Sequence, residues 1–215
     1  MKMEIALFAA CLLAGTGAQA SSAVEFGVVG KITPGACYPT LSNHSVDFGE
    51  IKVTELQRHT ATVIDRKRVN TLNISCDAAT VFAVRGVDDR ASSVGNNWYE
   101  SAYGLGYTGR GEKIGAHYVQ VHPSRSTIDG KQAFTTYSDA RGEQWDYSGD
   151  EESAIPNGGE LLGFTDGAGI AHGPVAIQHA SIGLSHFIVV APASQLTLTS
   201  EVLLDGKATI ELVYL

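Results

Sequence analysis

The residues of this chain best suited to metal or proton chemistry are seven histidines, His44, His59, His117, His122, His172, His179 and His186. No two stand at a tight spacing such as His-x-x-x-His, which lets two imidazoles of one element converge on one ion, so they read as scattered surface and strand histidines. Gly104-Leu105-Gly106-Tyr107-Thr108-Gly109 matches the Gly-x-Gly-x-x-Gly of dinucleotide sites. That chemistry needs a helix whose N-terminus meets the pyrophosphate. No helical pattern follows, so these are turn glycines. The nucleophile-elbow pattern Gly-x-Ser-x-Gly does not occur, and serine, histidine and aspartate in the composition are no evidence of a triad. Asp146, Asp150, Glu151, Glu152 and Asp166 have the oxygen ligands calcium prefers, but a solvated acidic rim is the reading we adopt. Trp98, Tyr99, Tyr103, Tyr107, Trp145 and Tyr147 suit either a sugar-stacking platform or the core and rim of a β-sandwich. The expectation is therefore a protein that is not an enzyme and uses no cofactor or metal.

The elements that must hold these residues are announced by the first twenty positions. MKMEIALFAACLLAGTGAQA has Lys2, an apolar run from Ile5 to Ala14, and the small-x-small ending Ala18, Gln19, Ala20. This is the pattern of a secretory signal peptide, and the run is short of the roughly 20 residues a bilayer span needs. Cys11 lies inside that run, with the hydrophobic stretch continuing past it, which argues against lipidation. Removal of residues 1–20 leaves Cys37 and Cys76, and an even number of cysteines in an exported chain reads as a disulfide. Closing a loop of that length removes about 4 kcal/mol of chain entropy from the unfolded state. The net charge of -8 argues against nucleic-acid or anionic-membrane partners, which call for clustered Lys and Arg.

Apolar and polar residues alternate at period two along much of the remaining chain. Val24, Phe26, Val28 form one such set, Leu72, Ile74, Cys76 a second, and Ala208, Ile210, Leu212, Tyr214 a third. Val46-Asp47-Phe48-Gly49-Glu50-Ile51 predicts a further short strand ended by glycine. The 24 glycines punctuate turns and discourage long helices. The pattern predicts an all-β sandwich or barrel in one domain. The stretch 122–173 is polar and rich in Asp-Gly and Asn-Gly pairs, and reads as hairpins and loops on the rim.

Four features in order resemble the pilin subunits of the bacterial chaperone/usher pathway. They are the block GKITPGAC from Gly30 to Cys37, the VDFGEI segment, the separation of the two cysteines, and a last strand with penultimate Tyr214. NWYESAYGLGYTGRGEKIGAHYV and LDGKATIELVYL look more specifically like a proteobacterial fimbrial-like family of unassigned role. The resemblance implies an incomplete immunoglobulin-like β-sandwich with one disulfide, Cys37 to Cys76, completed by donor-strand exchange. It implies a signal peptide at 1–20, a donor-strand extension at 21–33, and a sandwich domain at 34–215.

Carried onto these residues, the donor strand would be Val24, Phe26, Val28, Gly30 and Ile32, with Gly30 allowing close backbone approach. The C-terminal strand Ala208, Ile210, Leu212 and Tyr214 would contact a periplasmic pilus chaperone by strand addition. The implied function is that of a structural or assembly subunit of a fimbria (pilus)-like surface fibre serving cell adhesion. The implied partners are that chaperone, an outer-membrane usher and neighbouring fimbrial subunits, with no nucleic acid and no membrane insertion. The implied location is the periplasm and then the cell surface. The long polar stretch departs from a typical major pilin and suits a minor, capping or tip subunit. Two alternatives stay open: a tip adhesin binding a surface glycan or protein, and a self-contained periplasmic binding protein.

Overall fold

The computed structural model describes residues 24–31, 35–95, 101–169 and 171–215. The expected signal peptide, Ile32 of the expected donor strand, and Trp98 and Tyr99 lie outside them. The chain divides into two units, Met1–Thr33 and Pro34–Leu215. In the first, residues 24–31 carry no regular secondary structure. Val24, Phe26 and Val28 are exposed there, and open space surrounds Gly30. Among the described residues no helix is long and apolar enough to cross a membrane.

The second unit is all-β, with single-turn 3-10 segments and eleven described strands. They are β1 (Cys37–Leu41), β2 (Thr62–Asp88), β3 (Tyr103–Gly104), β4 (Gly115–Val121), β5 (Thr127–Ile128), β6 (Lys131–Gln132), β7 (Phe134–Ser138), β8 (Ser153–Ala154), β9 (Leu161–Thr165), β10 (Ala176–Val190) and β11 (Ala208–Tyr214). β2 is long enough to serve two sheets. Its first part pairs antiparallel with β1 and β10, and β10 in turn with β4. Its last residues pair with β11 and β9, and β9 with β7. Leu72, Ile74, Ile182 and Leu184 of the first sheet meet Phe82, Val84, Leu162 and Phe164 of the second in one apolar cluster. The arrangement is sandwich-like, and the sheet does not close into a barrel.

The expected disulfide is present: Cys37 and Cys76 are directly opposed in the β1–β2 register and bonded. The turn glycines of 104–111 connect β3 to β4, with a bridge between Tyr107 and Lys113 and Gly111 N–H donating to the Thr108 carbonyl. Gly86 of β2 is required by packing. A Cβ there would lie 1.8 Å from the Tyr103 hydroxyl, which is buried and donates to the Ile155 carbonyl at 2.9 Å.

Two expectations are corrected. Residues 46–51 are not a strand: the Asp47 carboxylate accepts the Gly49 N–H at 2.6 Å, and Gly49 takes φ +64°. A local side-chain turn of this kind competes with extension, yet Phe48 still reaches a second apolar cluster with Ile64, Ile114, Ile188 and Val190. The stretch 122–173 is more than rim loops. It contributes β7 and β9 to the second sheet, and all five residues of β9 are buried. LLGFT is buried on both faces, so it reads as an unbroken apolar run rather than an alternating one, and the polar turns around it hide the signal.

Candidate functional site

The alternation of an antiparallel ladder decides which way each backbone group of β11 points. Asp89 N–H donates to the Lys207 carbonyl and Leu215 N–H to the Val81 carbonyl. Thr209, Glu211 and Val213 therefore exchange hydrogen bonds with β2, and Ala208, Ile210, Leu212 and Tyr214 direct their N–H and C=O away from it. Among the described residues no other strand pairs with β11. The side chains of Ala208, Ile210 and Leu212 meanwhile pack on the core. The last strand thus has one satisfied edge and one open edge.

The facing border is β1 and the irregular segment after it. The same bookkeeping on β1, from Asp77 N–H to the Ala36 carbonyl and Ser42 N–H to the Thr71 carbonyl, turns Cys37, Pro39 and Leu41 outward. Cys37 N–H donates to the Tyr214 hydroxyl at 3.0 Å, tying the two borders together at the disulfide end. Pro39 has no N–H to offer, a residue suited to an uncovered edge.

Between these borders lies a cleft of about 1400 Å³. Leu41, Phe48, Leu105, Ile188 and Ile210 are among its walls. Small-molecule pockets are typically about 300–1,000 Å³, so this cleft is on the scale of a chain segment. Of the expected C-terminal strand residues, Ala208 and Ile210 line it, Leu212 packs on the neighbouring core, and Tyr214 accepts the Cys37 N–H outside the lining. The expected donor residues belong to the other unit of the chain.

The floor of the cleft carries a polar row that the sequence reading missed. His117 Nε2 lies 3.2 Å from His186 Nδ1, with the rings stacked at 5.5 Å. His186 Nε2 lies 2.9 Å from Asn70 Oδ1, and Asn70 Nδ2 donates to the Asn43 carbonyl at 3.1 Å. All four residues line the cleft. Because the Asn43 carbonyl can only accept, the Asn70 amide must present its oxygen to His186. His186 then donates from Nε2 and, being neutral, accepts at Nδ1, so His117 donates from Nε2. Burial lowers both histidines, each to about 4, with the neighbouring His186 ring adding to the effect on His117. Both rings are therefore uncharged at neutral pH.

The signal that locates these histidines is alternation rather than mutual spacing. His117 shares its parity with Val119 and Val121 on β4, and His186 with Ile182, Leu184, Ile188 and Val190 on β10. A histidine on the apolar face of two adjacent strands faces the interior. Tyr118 and Phe187, of opposite parity, stack on the outer side at 4.7 Å.

The other candidate constellations are dispersed. Tyr103 is in the core, Tyr107 and Tyr147 are exposed, and Trp145 is half-buried against Gly163 and Gly173. Of the acidic set, Asp166 pairs with Lys131, and Glu152 lies 3.0 Å from His122 Nδ1. Among the described residues no three His, Cys, Asp or Glu side chains are placed to hold a metal ion.

Residues 26–101 match a family model described as a protein of unknown function (DUF1120). The chain is 31% identical over 147 residues to Protein GltF of Escherichia coli (strain K12), an alignment covering 57% of this chain and 58% of that protein. The chain thus spans less than two thirds of that relative's length.

Proposed function

We propose that this protein is a strand-accepting assembly subunit of a fimbria-like surface fibre, which binds partner chains through its open cleft rather than catalysing a reaction. The observation that carries the reading is the free edge of β11: the main-chain groups of Ala208, Ile210, Leu212 and Tyr214 are turned outward, and Ala208 and Ile210 line a cleft of mixed apolar and polar walls. An added strand would pair with that edge and place alternate side chains in the cleft, with main-chain bonds supplying affinity and pockets supplying register. A long uncovered edge over an apolar face is an association hazard, so a chain built this way calls for a partner from the time it folds. On this reading the partner is first a periplasmic chaperone strand, then the extension of a neighbouring subunit delivered at an outer-membrane usher. The alternating, exposed Val24, Phe26 and Val28 are the segment this chain would offer in return.

The test is to express the chain from Ser21 in a periplasm with and without a fimbrial chaperone and follow soluble protein by size-exclusion chromatography. Solubility only as a one-to-one complex supports the reading. A stable monomer without any partner overturns it and favours a self-contained periplasmic binding protein.

A further inference from the structure

Three consecutive cations, Arg66, Lys67 and Arg68, stand on β2, and only two of them find partners. Arg66 donates to the Phe48 carbonyl and pairs with Glu55, and Lys67 pairs with Asp65. Arg68 makes no ion pair among the described residues, and its Nε is enclosed without a hydrogen-bond partner. Arg85 and Arg90, half-buried as Arg66 and Arg68 are, have Glu211 and Asp205. Arg68 is thus the one half-buried arginine among the described residues left without a carboxylate. A partly enclosed guanidinium with no acceptor carries a desolvation cost that nothing else in the chain offsets.

The backbone directs this arginine inward. Across the β2–β10 ladder His186 pairs with Arg68 and Ile188 with Ile64, so residues 65–67 bulge out of β2. Lys67 takes φ +54° there, a left-handed conformation uncommon for a residue with a side chain, and its N–H donates to the Asp65 carboxylate at 2.9 Å. Directly opposed residues share a sheet face, which puts Arg68 on the face of His186 and of Asn70 two positions on. With Asn43, Ser45, Asp47 and Lys67, Arg68 and Asn70 line a hollow of about 420 Å³, the size of a small-molecule site. Asn43, Ser45, Asp47 and Lys67 are exposed, so the hollow opens to solvent. Asp47 does not neutralise Arg68: its carboxylate is turned to the Gly49 N–H at 2.6 Å.

We infer that this hollow binds a small hydroxylated monocarboxylate, with the Arg68 guanidinium meeting the carboxylate and Asn43, Ser45 and Asp47 meeting the hydroxyls. The planar fork of a guanidinium matches a carboxylate by two parallel hydrogen bonds. Asp47 on the rim repels a second negative charge, which disfavours a dianion such as phosphate, while its carboxylate accepts hydroxyl hydrogens. The Asn43 side-chain oxygen takes the Ser45 N–H at 3.1 Å, which leaves its amide hydrogens to donate, and the Ser45 hydroxyl both donates and accepts. Two sources share this chemistry, a free hydroxy acid and the terminal sugar acid of a glycan. The inference stands apart from the strand-accepting reading, which rests on the edge of β11, and either can fail without the other.

The experiment follows the arginine Nε–H signals of the isotope-labelled full chain by NMR, with Arg68 assigned through its own backbone, as D-glucuronate, D-glucose, acetate or inorganic phosphate is added. The expected result is a saturable shift of the Arg68 signal with glucuronate, at a concentration about tenfold lower than with acetate or phosphate, and no shift with glucose. Arg68→Lys, which keeps the charge and loses the fork, should weaken glucuronate binding about tenfold in calorimetry with the unfolding midpoint unchanged. The signal of the parent chain decides the matter even where the variant fails to fold. An oligosaccharide ending in glucuronate that binds more tightly than the monosaccharide identifies a glycan as the source, and equal binding identifies the free acid; both uphold the site. An Arg68 signal unmoved by glucuronate, or moved equally by acetate and phosphate, overturns it and leaves the strand-accepting reading standing.

Discussion

Acidification from pH 7 to pH 5 charges the unfolded histidines and not the buried pair, and the consequence can be worked from the structure. His117 and His186 titrate near 4 when folded, against 6.5 for the free side chain. A base whose folded value is depressed binds more protons unfolded, so stability is full above about pH 6.5 and falls as the pH drops toward 4. At pH 5 the imbalance amounts to about 2 kcal/mol for each ring, or about 4 kcal/mol for the pair. With a urea slope of about 2 kcal/mol per molar, that lowers the midpoint by about 2 M. The carboxylates contribute little in this window. Glu55, Asp65, Glu112, Asp139, Asp166 and Asp205 are all held below their ordinary values, and they stay ionised at pH 5. The assay is urea unfolding followed by tryptophan emission at both pH values, with a His117→Gln/His186→Gln variant beside the parent. The variant replaces the titrating rings by amides, so most of its pH sensitivity should vanish even if its stability at pH 7 is lower. Equal midpoints for the parent at pH 5 and 7, or equal pH sensitivity in parent and variant, would refute the buried neutral pair.

Gly86→Ala places a methyl group against the Tyr103 hydroxyl and should cost about 2–3 kcal/mol through overpacking and loss of the bond to Ile155; an unchanged unfolding midpoint would contradict the packing described. Reduction of the Cys37–Cys76 bridge should remove about 4 kcal/mol, read as the difference in urea midpoint with and without reductant. Pro39→Thr restores an N–H on the side of β1 that faces away from β2, without touching the β1–β2 ladder. It should raise self-association in analytical ultracentrifugation while leaving the unfolding midpoint within about 0.5 kcal/mol, and unchanged association would show that this edge is covered by other means.

Period-two alternation, frequent glycine and the absence of helical pattern were sufficient to read an all-β chain, and the two cysteines to read one disulfide. These are properties of local steric preference and of composition, which a sequence displays directly. The same local reasoning failed at residues 46–51, where a two-residue bond from Asp47 to Gly49 outweighs the alternation. It failed again at Leu161–Thr165, where burial on both faces erases the alternation by which a strand is recognised.

The cleft and its polar row were beyond reach for a different reason. His117 and His186 are remote in the chain, and so are the borders Cys37 and Tyr214. Their alternation within β4 and β10 states that each histidine faces inward, a property of one strand at a time. Which strands become neighbours, and which edge is left without one, depends on how far β2 runs before passing from one sheet to the other. That is set by the packing of both sheets together, so the interior parity of each residue was determined by the sequence alone, and the open edge of β11, beside the cleft that His117, His186 and Asn70 also line, was decided only by the tertiary structure.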